Sequence, residues 1–143
     1  MSVSLHHAVY MTYNAQKNTL RPGMVQIGLS PGQPKVLRFL AAHSDCCMQK
    51  EIAEALDIEP ATVSRLLANM EQNGLVARSA PEERRRAESV RITEEGRVAF
   101  ARWETVCHTV EEQSMKGFSK EEQRQFLENL CRMYQNLTGK SLE

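Results

Sequence analysis

The stretch from residue 49 to residue 69 constrains this chain more than any other. Ile52, Ala53 and Leu56 share one face of a short helix, Asp57-Ile58-Glu59 breaks it, and Pro60 opens a second helix with Val63, Leu66, Leu67 and Met70 on one side. Each of these positions answers a steric need. A small Ala53 lets the second helix cross the first closely, and the left-handed conformation that the turn at Asp57 calls for is open to Gly, Asn or Asp. Pro60 stands where a helix's first N–H has no intrahelical partner. Val63 and Leu66 then close back on Ile52 and Leu56. A random amphipathic pair rarely places the small residue, the turn residue and both apolar anchors at these intervals, so the stretch reads as a helix-turn-helix.

The flanks extend that reading. Asn73-Gly74 stops the second helix, and the apolar period then falls to two: Val76 and Arg78 alternate, and Val90 and Ile92 alternate against Ser89, Arg91 and Thr93. A hairpin follows, and its connection over residues 79–88, charged and containing Pro81, is too long for a tight turn and predicts a projecting loop. Upstream, Ser30-Pro31-Gly32-Gln33 predicts a helix start with Ser30 as cap, Pro31 at the first helical position and Gln33 closing a capping box; Val36, Leu37 and Leu40 form its apolar stripe. Over residues 4–16, Leu5, Val9 and Tyr13 line one helical face, which Arg21-Pro22-Gly23 ends. Downstream, Thr93-Glu94-Glu95 caps a long helix with Ala99, Trp103, Val106 and Val110 in phase. Ser119-Lys120-Glu121-Glu122 opens a last helix with Phe126, Leu127, Leu130, Tyr134 and Leu137 predicted to face inward. The fold class is mainly α (α+β): a winged helix-turn-helix lobe over residues 29–93 with a two-stranded wing, and dimerisation helices over 1–28 and 94–143.

A chain of 143 residues fits one core. Apolar faces that one small lobe cannot bury then predict a homodimer formed through Leu5, Val9, Tyr13, Phe126, Leu130 and Tyr134, the alternative being packing of those helices within the chain. In the helix-turn-helix, the second helix is the one that enters a DNA major groove. Its outward residues Ala61, Thr62, Ser64, Arg65, Ala68 and Asn69 are short, polar or cationic: hydroxyls meet phosphates or bases, and Arg65 can grip a guanine with two hydrogen bonds. Any surface helix shows such residues outward; the architecture around this one gives them their meaning. Gln49 and Lys50, at the start of the first helix, complete the near side of the DNA face. Net charge is zero, yet the basic excess falls in residues 60–93 around Arg84, Arg85 and Arg86, the acidic excess lying beyond residue 94. Glu82, Glu83 and Glu88 flank that arginine run, which as a wing would reach the neighbouring minor groove or phosphates and otherwise is a solvated loop.

Other functions find less support. No nucleophile elbow, phosphate loop, His-Glu-x-x-His pair or dinucleotide fingerprint occurs, which argues against an enzyme and gives no cofactor to expect. Cys46, Cys47, Cys107 and Cys131 form no Cys-x-x-Cys pair, and neighbours such as Cys107-His108 or His6-His7 diverge on a helix, so no metal chelate is ready-made and buried free thiols are expected. A thiol- or metal-responsive regulator of the same fold is the alternative reading there, and a winged helix serving protein contacts without DNA is another. The N-terminus lacks a basic-then-apolar leader and no apolar run is long enough to cross a bilayer, so a cytoplasmic protein with no membrane partner is expected.

Several segments together resemble the MarR family of bacterial regulators: Leu29-Ser30-Pro31-Gly32-Gln33, Gln49-Lys50-Glu51-Ile52-Ala53, Ala61-Thr62-Val63-Ser64-Arg65-Leu66-Leu67, Asn73-Gly74-Leu75-Val76, Arg84-Arg85-Arg86 and Val90-Arg91-Ile92-Thr93-Glu94-Glu95-Gly96. The resemblance spans residues 29–100 at motif level, and helix order carries it further. It implies a bacterial, homodimeric regulator of transcription, commonly a repressor, whose terminal helices interlock and whose two winged lobes sit on a palindromic operator in double-stranded DNA. It also implies release by a small anionic or phenolic ligand or by oxidation. Two positions depart from the family pattern: Arg84 stands where an aspartate usually precedes the arginine at Arg86, and Glu59 occupies a helix cap that is usually Ser or Thr.

Overall fold

The computed structural model describes residues 2–43, 47–79 and 89–142. These form α1 (Leu5–Ile27), α2 (Gln33–Ala42), β1 (Cys47–Met48), α3 (Gln49–Leu56), α4 (Pro60–Gln72), β2 (Val76–Ser79), β3 (Ser89–Ile92), α5 (Glu94–Ser114) and α6 (Lys120–Thr138). The chain divides into two compact units within α5, between His108 and Thr109.

In the first unit the core is the one the apolar periods anticipate. Val36, Leu37 and Leu40 of α2, Ile52 of α3, Val63, Leu67 and Met70 of α4, and Val76 and Val90 of the strands are all buried. At 2–5 kcal/mol for a typical buried Leu→Ala change, to order of magnitude, this cluster sets the stability of the lobe. The helix-turn-helix closes as expected. Asp57 adopts φ 53°, and the Asp57 and Ile58 N–H groups donate back to the Glu54 and Ala53 carbonyls (3.4 and 3.1 Å), a Schellman ending with aspartate where glycine is usual. That ending places a carboxylate beside the negative end of the α3 dipole. Asp57→Asn keeps the left-handed tolerance and removes the charge, and is expected to raise stability by about 0.3–1 kcal/mol in a urea titration; a lower midpoint would contradict this account.

Four details differ from the sequence expectation. First, α1 does not end at Arg21-Pro22-Gly23 but runs through Pro22 to Ile27. An internal proline deletes one helical hydrogen bond, at about 3 kcal/mol, and tertiary packing offsets it. Leu20, Met24 and Ile27 pack on the core, and Gly23 lies so close to α5 that a Cβ there would meet Val106 Cγ1 at 2.5 Å. Second, α2 starts at Gln33 rather than Pro31. Residues 30–33 form a turn in which the Gln33 N–H donates to the Ser30 carbonyl (3.1 Å) and the Ser30 N–H donates to Gln33 Oε1 (3.0 Å), with Gly32 left-handed at φ 89° as the cap. Only the glutamine half of the expected capping box is made.

Third, the wing hairpin belongs to a three-stranded antiparallel sheet rather than a two-stranded one. The strand order is β1-β3-β2, with Cys47 opposite Val90 and Val76 opposite Ile92. The two residues of β1 cover the outer edge of β3, which would otherwise present unpaired backbone groups. Fourth, the apolar row of α6 is not inward. In the second unit, α6 buries no residue, and Phe126, Leu127, Leu130 and Leu137 are 44%, 61%, 42% and 75% exposed. A short pair of helical segments has too little volume to cover such a row. Local chemistry still fixes the helix: Ser119 and Glu122 form the expected reciprocal capping box (2.7 and 3.1 Å), and Arg124 pairs with Glu121 and Glu128. The Arg124 guanidinium holds the Glu121 carboxyl below its ordinary value.

Candidate nucleic-acid interface

The α4 helix has two faces because its apolar residues recur at 63, 67 and 70. With those buried, Ala61, Arg65, Ala68 and Asn69 are exposed, and Thr62 and Ser64 are half-buried on the same outward side. Its N-terminus is built by Pro60 at the first position and by Glu59, whose carbonyl accepts the Thr62 and Val63 N–H groups (3.0 and 3.1 Å) while its side chain makes no cap bond. The carboxylate therefore does not occupy the first-turn donors, which keep the partial positive charge that favours a phosphate. On α3, Gln49 is half-buried and Lys50 exposed, the latter 3.9 Å from Glu54 one turn on. A solvated pair of this kind contributes little and exchanges readily for another anion.

The wing strands are anchored to this helix. Arg78 of β2, largely buried, brings its Nε to 4.0 Å from the Glu71 carboxylate in the last turn of α4. Beyond it, Ser79 pairs with Ser89, so residues 80–88 join the two strand ends. Arg84, Arg85 and Arg86 lie outside the described residues. Arg91, exposed on β3 opposite Ala77, is a further cation on the hairpin that the sequence reading placed on the strand without assigning it a role.

A cavity of about 660 Å³ opens in the same unit among α1, the residue 30–33 turn, α2 and α5. Leu20, Met24, Pro34 and Trp103 supply apolar wall, and Lys17 and Arg21 of α1 with Lys35 and Arg38 of α2 supply four cations, with no carboxylate among the described lining residues. Glu104 reaches Arg38 at 3.8 Å, and Lys17 lies 5.7 Å above the Tyr13 ring. An apolar body with a cationic margin suits an organic anion of drug-like size. Cys107 is part of this wall, Cys47 is buried in β1 and Cys131 is half-buried on α6. Among the described residues, no group of three or more His, Cys, Asp or Glu side chains could hold a metal ion, and no helix is long and apolar enough to cross a membrane.

Comparison with known proteins places this geometry. The family model described as MarR family matches residues 27–87, the helix-turn-helix and its approaches. The crystal structure of transcriptional regulator PA3341 superposes with a TM-score of 0.80 at 31% identity, over 96% of this chain and 100% of that one. The chain belongs to the MarR family. An uncharacterized HTH-type transcriptional regulator of Bacillus subtilis strain 168, YdgJ, is 28% identical over 112 residues, covering 78% of this chain and 68% of its own length. Staphylococcus aureus MepR, solved in complex with DNA, matches with a TM-score of 0.81 at 25% identity over 94% of this chain and 97% of that one.

This MarR-family chain is a transcriptional regulator with a winged helix-turn-helix. Its predicted DNA-facing residues on α3 and α4 fall into one unit and outward or half-outward positions, and Leu5, Val9 and Tyr13 leave an exposed apolar row on α1. Sequence reading missed the cavity, and the reason is physical. Lys17 and Arg21 are one helical turn apart beside Leu20 and Met24, but they register as a wall only once α1 continues through Pro22.

Proposed function

We propose that this MarR-family regulator binds double-stranded DNA as a homodimer, with α4 of each copy in a major groove and the arginines at 84–86 against the adjoining backbone. The observation that carries the reading is the two-sided α4: a fully buried row at Val63, Leu67 and Met70 holds Arg65 and Asn69 outward on a rigid support, next to a paired wing. Dimer symmetry requires a palindromic site with half-sites about one helical turn apart. The apolar rows left exposed on α1 and α6 support a second copy as their cover. Repression is the sign we assign, relieved when a small organic anion fills the cationic cavity; no catalysis is involved, and the site of action is the cytoplasm.

Selection from a random-sequence duplex pool with the purified protein tests this directly. A palindromic consensus is expected, with affinity that falls steeply as salt rises. No enrichment, together with no duplex binding at low salt, would sink the reading. On the selected duplex, Arg65→Ala is expected to cost about 1–3 kcal/mol and to relax preference at particular bases. Arg85→Ala with Arg86→Ala weakens all sequences alike and lowers the salt slope by about 2. If Arg65→Ala proved as indifferent to sequence as the wing pair, α4 would not be the reading helix.

A further inference from the structure

We infer that Leu66 is the positioning residue through which the recognition helix and the cavity sense each other, by its contact with the Pro31-Gly32 turn. This rests on α4 being the DNA-contacting helix. The turn has two sides. On one, Pro31 and Gly32 line the cavity. On the other, Gly32 lies directly against α4: a Cβ at that residue would stand 3.2 Å from both Leu66 Cδ1 and Cδ2. Gly32 holds φ 89°, a conformation that excludes most side chains, so the close approach and the backbone conformation specify glycine together.

Leu66 is the α4 apolar residue free to answer such a contact. Val63, Leu67 and Met70 are fully buried, whereas Leu66 is half-buried at the edge of the core, follows the exposed Arg65, and there also meets the Gly32 turn. A contact this close passes displacement into the helix where the side chain is backed by packed neighbours, as Leu66 is by the core. A body that fills the cavity and presses the turn therefore pushes Leu66, and with it the helix that carries Arg65 and Asn69. Coupling between two sites is reciprocal, so DNA held by α4 must disturb the cavity to the same free-energy extent, commonly a 5- to 150-fold change in affinity.

Reciprocity gives a test that needs no ligand. Trp103 is the only tryptophan in the chain and lines the cavity. Full-length protein is titrated with the selected duplex while Trp103 emission and the anisotropy of labelled DNA are followed together. The wild type is expected to show an emission change that tracks binding. Leu66→Ala should still bind the duplex and lose that change, and Leu66→Met, which conserves volume, should restore it. Leu66→Val, a smaller truncation, serves if Leu66→Ala does not fold. Binding without an emission change in the wild type overturns the inference, as does a change that persists undiminished in the truncated variants. A wild type that binds no duplex fails one step earlier and takes the DNA reading with it.

Discussion

Gly96→Ala is expected to destabilise the protein by roughly 1–4 kcal/mol, although alanine is the better helix former. Gly96 lies in the first turn of α5, where its N–H donates to Thr93 Oγ1 (3.0 Å). A Cβ there would lie 2.2 Å from the Leu75 carbonyl oxygen and 2.7 Å from Ile92 Cγ1. That carbonyl cannot move aside, because it accepts the Thr93 N–H (3.1 Å), while the Thr93 hydroxyl donates to the Gly74 carbonyl (2.6 Å). The methyl group must therefore lever α5 away from the junction of α4 and β2, and the Thr93 bonds weaken with it. Helix propensity returns about 1 kcal/mol; overpacking of about 1–3 kcal/mol plus one or two lost hydrogen bonds at about 1 kcal/mol each exceed it. Urea midpoints of wild type and variant, measured at one protein concentration, decide the matter, and coincident midpoints would show that the junction yields at no cost. The change leaves every outward residue of α4 in place, so any loss of DNA affinity should follow the loss of folded protein.

What the sequence discloses here depends on how far apart the interacting residues are. The helix-turn-helix was readable because its determinants are local: Ala53, Asp57, Pro60 and Val63 act within one supersecondary unit, and each has a steric reason to be that residue. The Ser119 capping box and the Thr93 start of α5 are local in the same way. Continuation of α1 through Pro22 was not readable, because the packing that outweighs the missing hydrogen bond comes from Val106, more than three-quarters of the first unit away along the chain. β1 was hidden because two residues cannot display a period of two; its partner Val90 defines it. The cavity fails on both counts, being assembled from three helices with Trp103 as its far wall. On α6 the apolar period itself was correct, and periodicity identifies a face without saying what covers it.

That uncovered face carries the second large effect. Leu127→Glu with Leu130→Glu is expected to convert a homodimer to monomers at micromolar concentration and to weaken operator binding by at least about 100-fold. Both leucines are exposed on a helix that buries none of its residues within the chain, in a row shared with Phe126 and Leu137. Each loses about 1.5–3 kcal/mol of burial if a second copy covers it. In a twofold interface every substitution occurs twice, so the pair removes at least about 6 kcal/mol, a factor above ten thousand in the dimer dissociation constant. Glutamate keeps the helix propensity, which leaves α6 itself intact. Sedimentation equilibrium reads the mass, and titration of the same samples with a full palindrome and with a single half-site reads the linkage: the variant should lose the advantage of the full site and keep whatever affinity one lobe has for the half-site. A variant that remains dimeric at the wild-type dissociation constant would place the interface elsewhere. A monomer that binds the full palindrome as tightly as the wild type would separate dimerisation from DNA recognition altogether.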